Sequence, residues 1–281
     1  MNKKEMEKLR KITRQIRINT LRMLYEAGTG HLGSAMSTLE LVTALYFGGV
    51  LKYNSKKPDW EDRDYFLLSN GHACPSFYAV LAHAGYFPLS KLKNSLFKLG
   101  TGLEGHPVRG SLAGIEISSG SLGHGLSVGL GIALGVRSKK KNNKVVVMMS
   151  DGEQQEGSVW EAAMAANHYQ TGNLVAVIDR NGIQIAGDTE KNIKLEPLDK
   201  KYQSFGWQVI KINGHDFSQI IPAFKQAFAN KKPAKPTVII AKTIPANGVF
   251  SLEGREDTHH PHLTEEIYKK TLEKLNKRDT N

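Results

Sequence analysis

Two apolar runs, 144–149 (KVVVMM) and 173–179 (NLVAVID), each stop against a polar turn that contains glycine. The first ends at Ser150, Asp151 and Gly152, the second at Arg180, Asn181 and Gly182. Between them Val159, Ala162, Ala163, Ala166 and Tyr169 recur at helical spacing, so strand, helix and strand form one βαβ unit. Such crossovers are right-handed and leave their strands parallel. Ligands of open parallel sheets bind outside the carboxyl ends of the strands. Asp151 and Asn181 are therefore expected to face one crevice.

The same alternation runs through all 281 residues. Further strands are expected at 65–68, 207–212 and 237–242. Helices are expected up to Ala27, through Leu39 to Phe47, and over 75–85, 90–99 and 217–229, with another ending near Arg137 and a last one after Leu263. Glycine-rich turns fall at 27–37 and after Leu99, and a long polar loop spans 181–197. No internal repeat or linker divides the chain. The expected fold is α/β: a doubly wound, mostly parallel sheet with helices on both faces, in a single domain over 1–281.

Composition narrows the function classes. The formal net charge of +11 resides in clusters at Lys3, Lys4, Lys8 and Lys11, at Lys139 to Lys141, at Lys231 and Lys232, and from Lys269 to Lys277. No aromatic residues are interleaved as a stacking platform needs, so these read as solvated faces and not as a nucleic-acid site. The first helix, with Leu9, Ile12, Ile16 and Leu24 along one side, lacks the apolar core of a signal peptide. No apolar run approaches the ~20 residues that cross a bilayer. Cys74 is the only cysteine, which precludes an internal disulfide and suits a reducing compartment. A cytoplasmic protein is expected, with Cys74 a small buried thiol.

Asp151 and Asn181 stand thirty positions apart, about one βαβ unit. A carboxylate, an amide oxygen and a neighbouring carbonyl are hard donors suited to an octahedral Mg²⁺ that keeps phosphate and water oxygens as its other ligands. Gly152 permits close approach of a phosphate, and the helix starting near Gly157 aims its amide groups the same way. Spacing alone nevertheless favours the plainer reading, in which Asp and Asn are turn and cap residues.

The wider text reverses that order. Asp151-Gly152, Glu156-Gly157 and Asn181-Gly182 resemble the thiamine diphosphate fingerprint, and the flanking segments resemble transketolase. The segments are GTGHLG around His31, SNGHA around His72, GLEGHP around His106, SSGSLGHG over 118–125, SDGEQQEG over 150–157 and DRNGIQIAG over 179–187. The likeness covers nearly the whole chain, but only the first of the three transketolase domains. It therefore implies the N-terminal subunit of a split transketolase. Its C-terminal partner would carry the pyrimidine domain in an α₂β₂ assembly. The implied activity is transfer of a two-carbon glycolaldehyde unit from a ketose phosphate to an aldose phosphate, using thiamine diphosphate and Mg²⁺.

By position the resemblance implies that Asp151, Asn181 and the carbonyl of Ile183 hold the metal. His72, Gly152 and His259 would meet the diphosphate, with Asn181 serving both metal and cofactor. Gly120, Ser121 and Leu122 would run along the cofactor's rings. His31 and His106 would face substrate oxygens, and Glu156 would lie at the subunit interface near the partner's glutamate. An imidazole with an ordinary pKa of about 6.5 suits such work. Glu153, Gln154 and Gln155 read as first-turn polar residues.

The sequence departs from the family at two places. Thr258 replaces a tryptophan before the histidine, which leaves His259 and His260 as competing candidates, with His259 preferred. Ser150 replaces a glycine: a left-handed backbone there would be strained by on the order of 1 kcal/mol, whereas serine is harmless if glycine merely gave room. The alternatives are the α subunit of a 2-oxoacid dehydrogenase, a 1-deoxyxylulose-phosphate synthase fragment, or a non-catalytic thiamine diphosphate-binding relic.

Overall fold

A computed structural model describes residues 3–185, 187–229 and 234–277; Lys231 and Lys232 lie outside these. In chain order the elements begin with helices α1 (Lys3–Ala27), α2 (Leu32–Ser37) and α3 (Leu39–Phe47), strand β1 (Tyr65–Leu68) and helices α4 (Cys74–His83) and α5 (Gly125–Ser138). The crossover follows as β2 (Val145–Ser150), α6 (Gly157–His168) and β3 (Leu174–Arg180). A two-stranded hairpin, β4 (Ile183–Gln184) and β5 (Gly187–Asp188), leads to α7 (Thr189–Asn192) and α8 (Leu198–Ser204). The chain continues through β6 (Gln208–Asn213), α9 (Phe217–Phe228), β7 (Thr237–Lys242) and α10 (Glu265–Lys277).

The main sheet has the order β1-β2-β3-β7-β6, and every pairing in it is parallel. Successive side chains of a strand point to opposite faces, and the central strands use both. Val146 and Met148 of β2, with Val175 and Val177 of β3, join the larger core, beneath α1, α3, α4 and α9. Val145, Val147 and Met149, with Leu174, Ala176 and Ile178, join a second core beneath α5, α6 and α8. Both faces are covered, which is why these strands read as continuous apolar runs. The doubly wound sheet expected from the sequence is the one observed.

Three expectations need correction. The helix expected over 90–99 is only a short 3₁₀ turn, Leu89–Leu92, because Asn94 and Phe97 take left-handed φ values of 51° and 62° that interrupt any helix. The turn over 27–37 is shorter than expected, since α2 starts at Leu32. The long polar loop over 181–197 has structure of its own: the β4–β5 hairpin and α7, which Asp188 caps through its side chain. Ser150 closes β2 and is not among the residues with left-handed φ, so the strain considered there does not arise. Among the described residues, no helix is long and apolar enough to cross a membrane. Lys141 pairs with Glu61 at 2.6 Å and with Asp62 at 3.2 Å on the exposed face expected of that cluster.

Candidate active site

The carboxyl ends of β1, β2 and β3 lie side by side, so the residues that follow them share one crevice. Asp151, fully buried, accepts from the Gly182 amide at 2.6 Å through Oδ2 and from the Gly152 amide at 2.8 Å through Oδ1. The two strand ends singled out by the sequence thus meet directly. Asn181 donates from Nδ2 to Asp179 at 3.0 Å, while its Oδ1 accepts from the Ile183 amide at 2.9 Å. Asp179 is itself buried and accepts from Ser37 Oγ at 2.6 Å and from the Thr243 hydroxyl. Burial raises its carboxyl to about 6 against the lowering effect of the Ser37 and Thr243 hydrogen bonds. Asp151 is likewise pushed up by burial, opposed by the Gly182 amide and by Arg180, whose Nη1 lies 3.0 Å from Asp151 Oδ2.

Arg180 also holds Glu190 at 2.6 Å and Glu196 at 3.3 Å, and so ties the segment after the hairpin to the floor of the crevice. The sequence reading missed Asp179 and Arg180. Their signal was adjacency to Asn181 at the strand end, where a polar residue is otherwise unremarkable.

Imidazoles form one wall. The ring of His31, which precedes α2, lies 5.3 Å from His72, 5.8 Å from His106, 5.2 Å from His259 and 5.0 Å from His260, measured between centroids. Burial, reinforced by the neighbouring imidazoles, lowers His31 to about 4 and His72 to about 3. Burial lowers His106 and His259 as well. His72 contacts Ser34 Oγ through Nε2 at 3.0 Å.

The two candidates of the DTHHPH segment diverge. The His259 ring lies 5.4 Å from His72, whereas His260 approaches the Thr29 hydroxyl at 3.4 Å on the exposed side. Thr258, in place of the family's tryptophan, is buried, and a Cβ at Gly33 would lie 2.7 Å from its carbonyl oxygen. Absence of a side chain at Gly33 therefore lets the two segments dock.

A second wall is the segment that enters α5. Gly120 has φ of +141°, and a Cβ there would stand 3.0 Å from the His106 ring. Ser121 is exposed, and Leu122 is half-buried. Glu156 is exposed beside them. Cys74 is buried, its thiol pushed up to about 12 chiefly by burial, and it donates to the Gly105 carbonyl at 3.2 Å. Such a thiol is inert, in keeping with the structural role expected of it.

The donor set fits a diphosphate held through a hard cation. Among the described residues, no three His, Cys, Asp or Glu side chains converge on a metal position. A cation here would rest on one carboxylate, one amide oxygen and a carbonyl, with its remaining ligands supplied by phosphate and water. Gln184 Oε1 is buried without a partner, and a Cβ added at Gly152 would lie 3.2 Å from it. The bare glycine thus lets the β4–β5 hairpin pack closely against the turn after β2.

A family model described as "Transketolase, thiamine diphosphate binding domain" matches residues 9–279. The chain is 39% identical over 257 residues to one of the subunits of an apulose-4-phosphate transketolase from Phocaeicola vulgatus, covering 91% of this chain and 89% of that one. It is 39% identical over 262 residues to a 6-deoxy-6-sulfo-D-fructose transketolase subunit from a Clostridium species, covering 93% and 94%. Against the human transketolase it is 33% identical over 275 residues, which is 98% of this chain and 43% of the longer protein. The crystal structure of the Campylobacter jejuni transketolase superposes with a TM-score of 0.89 at 31% identity, covering 98% of this chain and 43% of that one. The fold and crevice are those of a thiamine diphosphate-binding domain. The chain belongs to the transketolase family and corresponds to the N-terminal, thiamine diphosphate-binding subunit of a split transketolase.

Proposed function

We propose that this chain, with a separate C-terminal chain carrying the pyrimidine domain, forms a cytoplasmic α₂β₂ transketolase that uses thiamine diphosphate and Mg²⁺. The reaction moves a two-carbon glycolaldehyde unit from a ketose phosphate to an aldose phosphate. The observation that carries the reading is the 2.6 Å contact between Asp151 Oδ2 and the Gly182 amide, which brings the ends of β2 and β3 together and so supports a cation shared between them. Relatives that match along nearly their whole length are named as subunits, which supports a partner chain. The transketolase family match favours this reading over a 2-oxoacid dehydrogenase subunit or a 1-deoxyxylulose-phosphate synthase fragment.

In this reading Asp151, Asn181 and the Ile183 carbonyl hold the cation, and His72, Gly152 and His259 receive the diphosphate. Residues Gly120, Ser121 and Leu122 line the rings. His31 and His106 stay neutral through physiological pH and so offer both a donor and an acceptor to substrate oxygens. Glu156 faces the partner. Bound thiamine diphosphate would supply the carbanion chemistry, leaving orientation and proton exchange to the protein.

Two relatives act on different sugars by their names, apulose 4-phosphate and 6-deoxy-6-sulfo-D-fructose, so the donor is a ketose with an anionic group, to be identified from a panel. The test is two-carbon transfer by the purified chain, alone and mixed with its partner. Transfer only in the mixture is expected. Robust turnover by the single chain contradicts the two-chain assignment, and decarboxylation of a 2-oxoacid by the mixture favours the dehydrogenase class.

A further inference from the structure

An acidic residue in the turn after a strand ordinarily faces water. Glu153, three residues past the end of β2, is 0% exposed instead. A carboxylate withdrawn from solvent has to be compensated by hydrogen bonds. Its oxygens accept from the Ser69 hydroxyl, from the Gly123 amide at 2.8 Å and from the Ser150 amide at 3.2 Å. Ser150 Oγ accepts in return from the Glu153 amide at 3.3 Å, so the pair forms a reciprocal capping box. Ser69 Oγ also accepts from the Gly125 amide at 3.1 Å. One carboxylate therefore joins the ends of β1 and β2 to the segment that enters α5.

Within that segment Gly123 is held from two sides. Gly123 has φ of +86°, a Cβ there would lie 2.7 Å from Glu156 Cβ, and its carbonyl accepts from Ser158 Oγ at 2.9 Å. With Gly123 fixed on two sides, the preceding residues 120–122 reach the crevice from a defined height beside His106. Beyond the clamp, on each of the two loops it joins, Asn70 and Ser119 keep buried side-chain polar atoms without partners, and unpaired groups of this kind call for a ligand.

We propose that Glu153, completed by Ser150, is a positioning residue that clamps Gly123 and thereby sets where residues 120–122 lie along the bound cofactor. The inference rests on the reading of the crevice as a thiamine diphosphate site. It also gives the serine at position 150 a role, as the second half of the clamp.

The test uses the chain assembled with its partner, with thiamine diphosphate and Mg²⁺ as the probe. Glu153→Ala is expected to raise the KM for thiamine diphosphate about tenfold or more, as loss of several buried hydrogen bonds implies. The kcat at saturating cofactor should change much less, and the Gly123 amide should lose its protection from hydrogen exchange. Glu153→Gln keeps an acceptor for Ser69 and Gly123 but turns a donor toward the Ser150 amide, so it should restore most of the KM. A KM within twofold of the parent together with a protected Gly123 amide overturns the proposal. So does a loss of kcat with KM unchanged, the pattern of a merely structural residue. If Glu153→Ala does not assemble, Ser69→Ala removes one arm and should raise the KM about fivefold, an unchanged KM again overturning the clamp. If the parent complex binds no thiamine diphosphate, the functional reading fails, and exchange at Gly123 still decides whether the clamp exists.

Discussion

The side-chain nitrogen of Asn181 donates to Asp179 Oδ2 across 3.0 Å while its oxygen accepts from the Ile183 amide at 2.9 Å, so the two contacts together fix which way the amide is turned. Asp179 contributes no ligand of its own in this arrangement; it holds the nitrogen end of the amide. Asp179→Asn makes the first contact ambiguous and leaves the Ile183 amide alone to orient the side chain. We expect Mg²⁺ affinity, measured by calorimetry on the assembled complex, to fall about 10- to 100-fold, the usual size for the loss of an orienting partner. Unchanged affinity would show that the amide is fixed by other means.

Glu40 and Arg17 form a buried ion pair, with His215 Nδ1 at 3.1 Å from Glu40 Oε2. Burial alone would raise the Glu40 carboxyl, but Arg17 and His215 outweigh it and hold it at about 2. A carboxylate lowered by folding stabilises the fold above its usual 4.5 and loses that contribution as pH falls from 4.5 toward 2. Glu40→Ala leaves a buried guanidinium without its partner and should destabilise the chain by about 3–5 kcal/mol in urea denaturation at pH 7. It should also flatten the decline of stability over that acid window.

His31 and His72 act at a higher pH and for a different reason. Burial lowers their folded values to about 4 and about 3 from the usual 6.5. Below 6.5 the unfolded chain takes up protons that the folded chain refuses, so their contribution to stability falls as pH drops from 6.5 through those values. The melting temperature of His31→Asn should consequently decline less between pH 6.5 and 4.5 than that of the parent. A steeper decline in the variant would contradict the neutral imidazole.

Ser150→Gly restores the residue the family carries. Because Ser150 lies in β2 without left-handed backbone, the change relieves no strain. It removes the hydroxyl that accepts from the Glu153 amide at 3.3 Å and puts a flexible residue at a strand end. Urea denaturation should show a loss of about 1 kcal/mol or less. A gain in stability would mean that serine is strained there after all.

The sheet was legible because its strands are apolar runs bounded by polar turns: Tyr65–Leu68 and Thr237–Lys242 lie where periodicity puts them, and the crossover strands shift by a single residue. The positions at strand ends were legible for the same reason, since Asp151 and Asn181 mark where the apolar runs stop. Glu153 was not legible. A first-turn acid and a buried clamp look identical in sequence, and the difference is made by Ser69 and Gly123, remote in the chain. Asp179 was hidden likewise, because Ser37 and Thr243 reach it from distant segments. The 90–99 helix failed on left-handed residues at Asn94 and Phe97, which helix spacing does not reveal.

The most direct measurement is calorimetric titration of thiamine diphosphate into the assembled complex, with Mg²⁺ and with a chelator, for the parent and for Asp151→Ala. Saturable binding that weakens at least tenfold without the metal, and that Asp151→Ala abolishes, is the predicted result. Equal affinity with and without Mg²⁺, undiminished by Asp151→Ala, would contradict a cation held between these two strand ends.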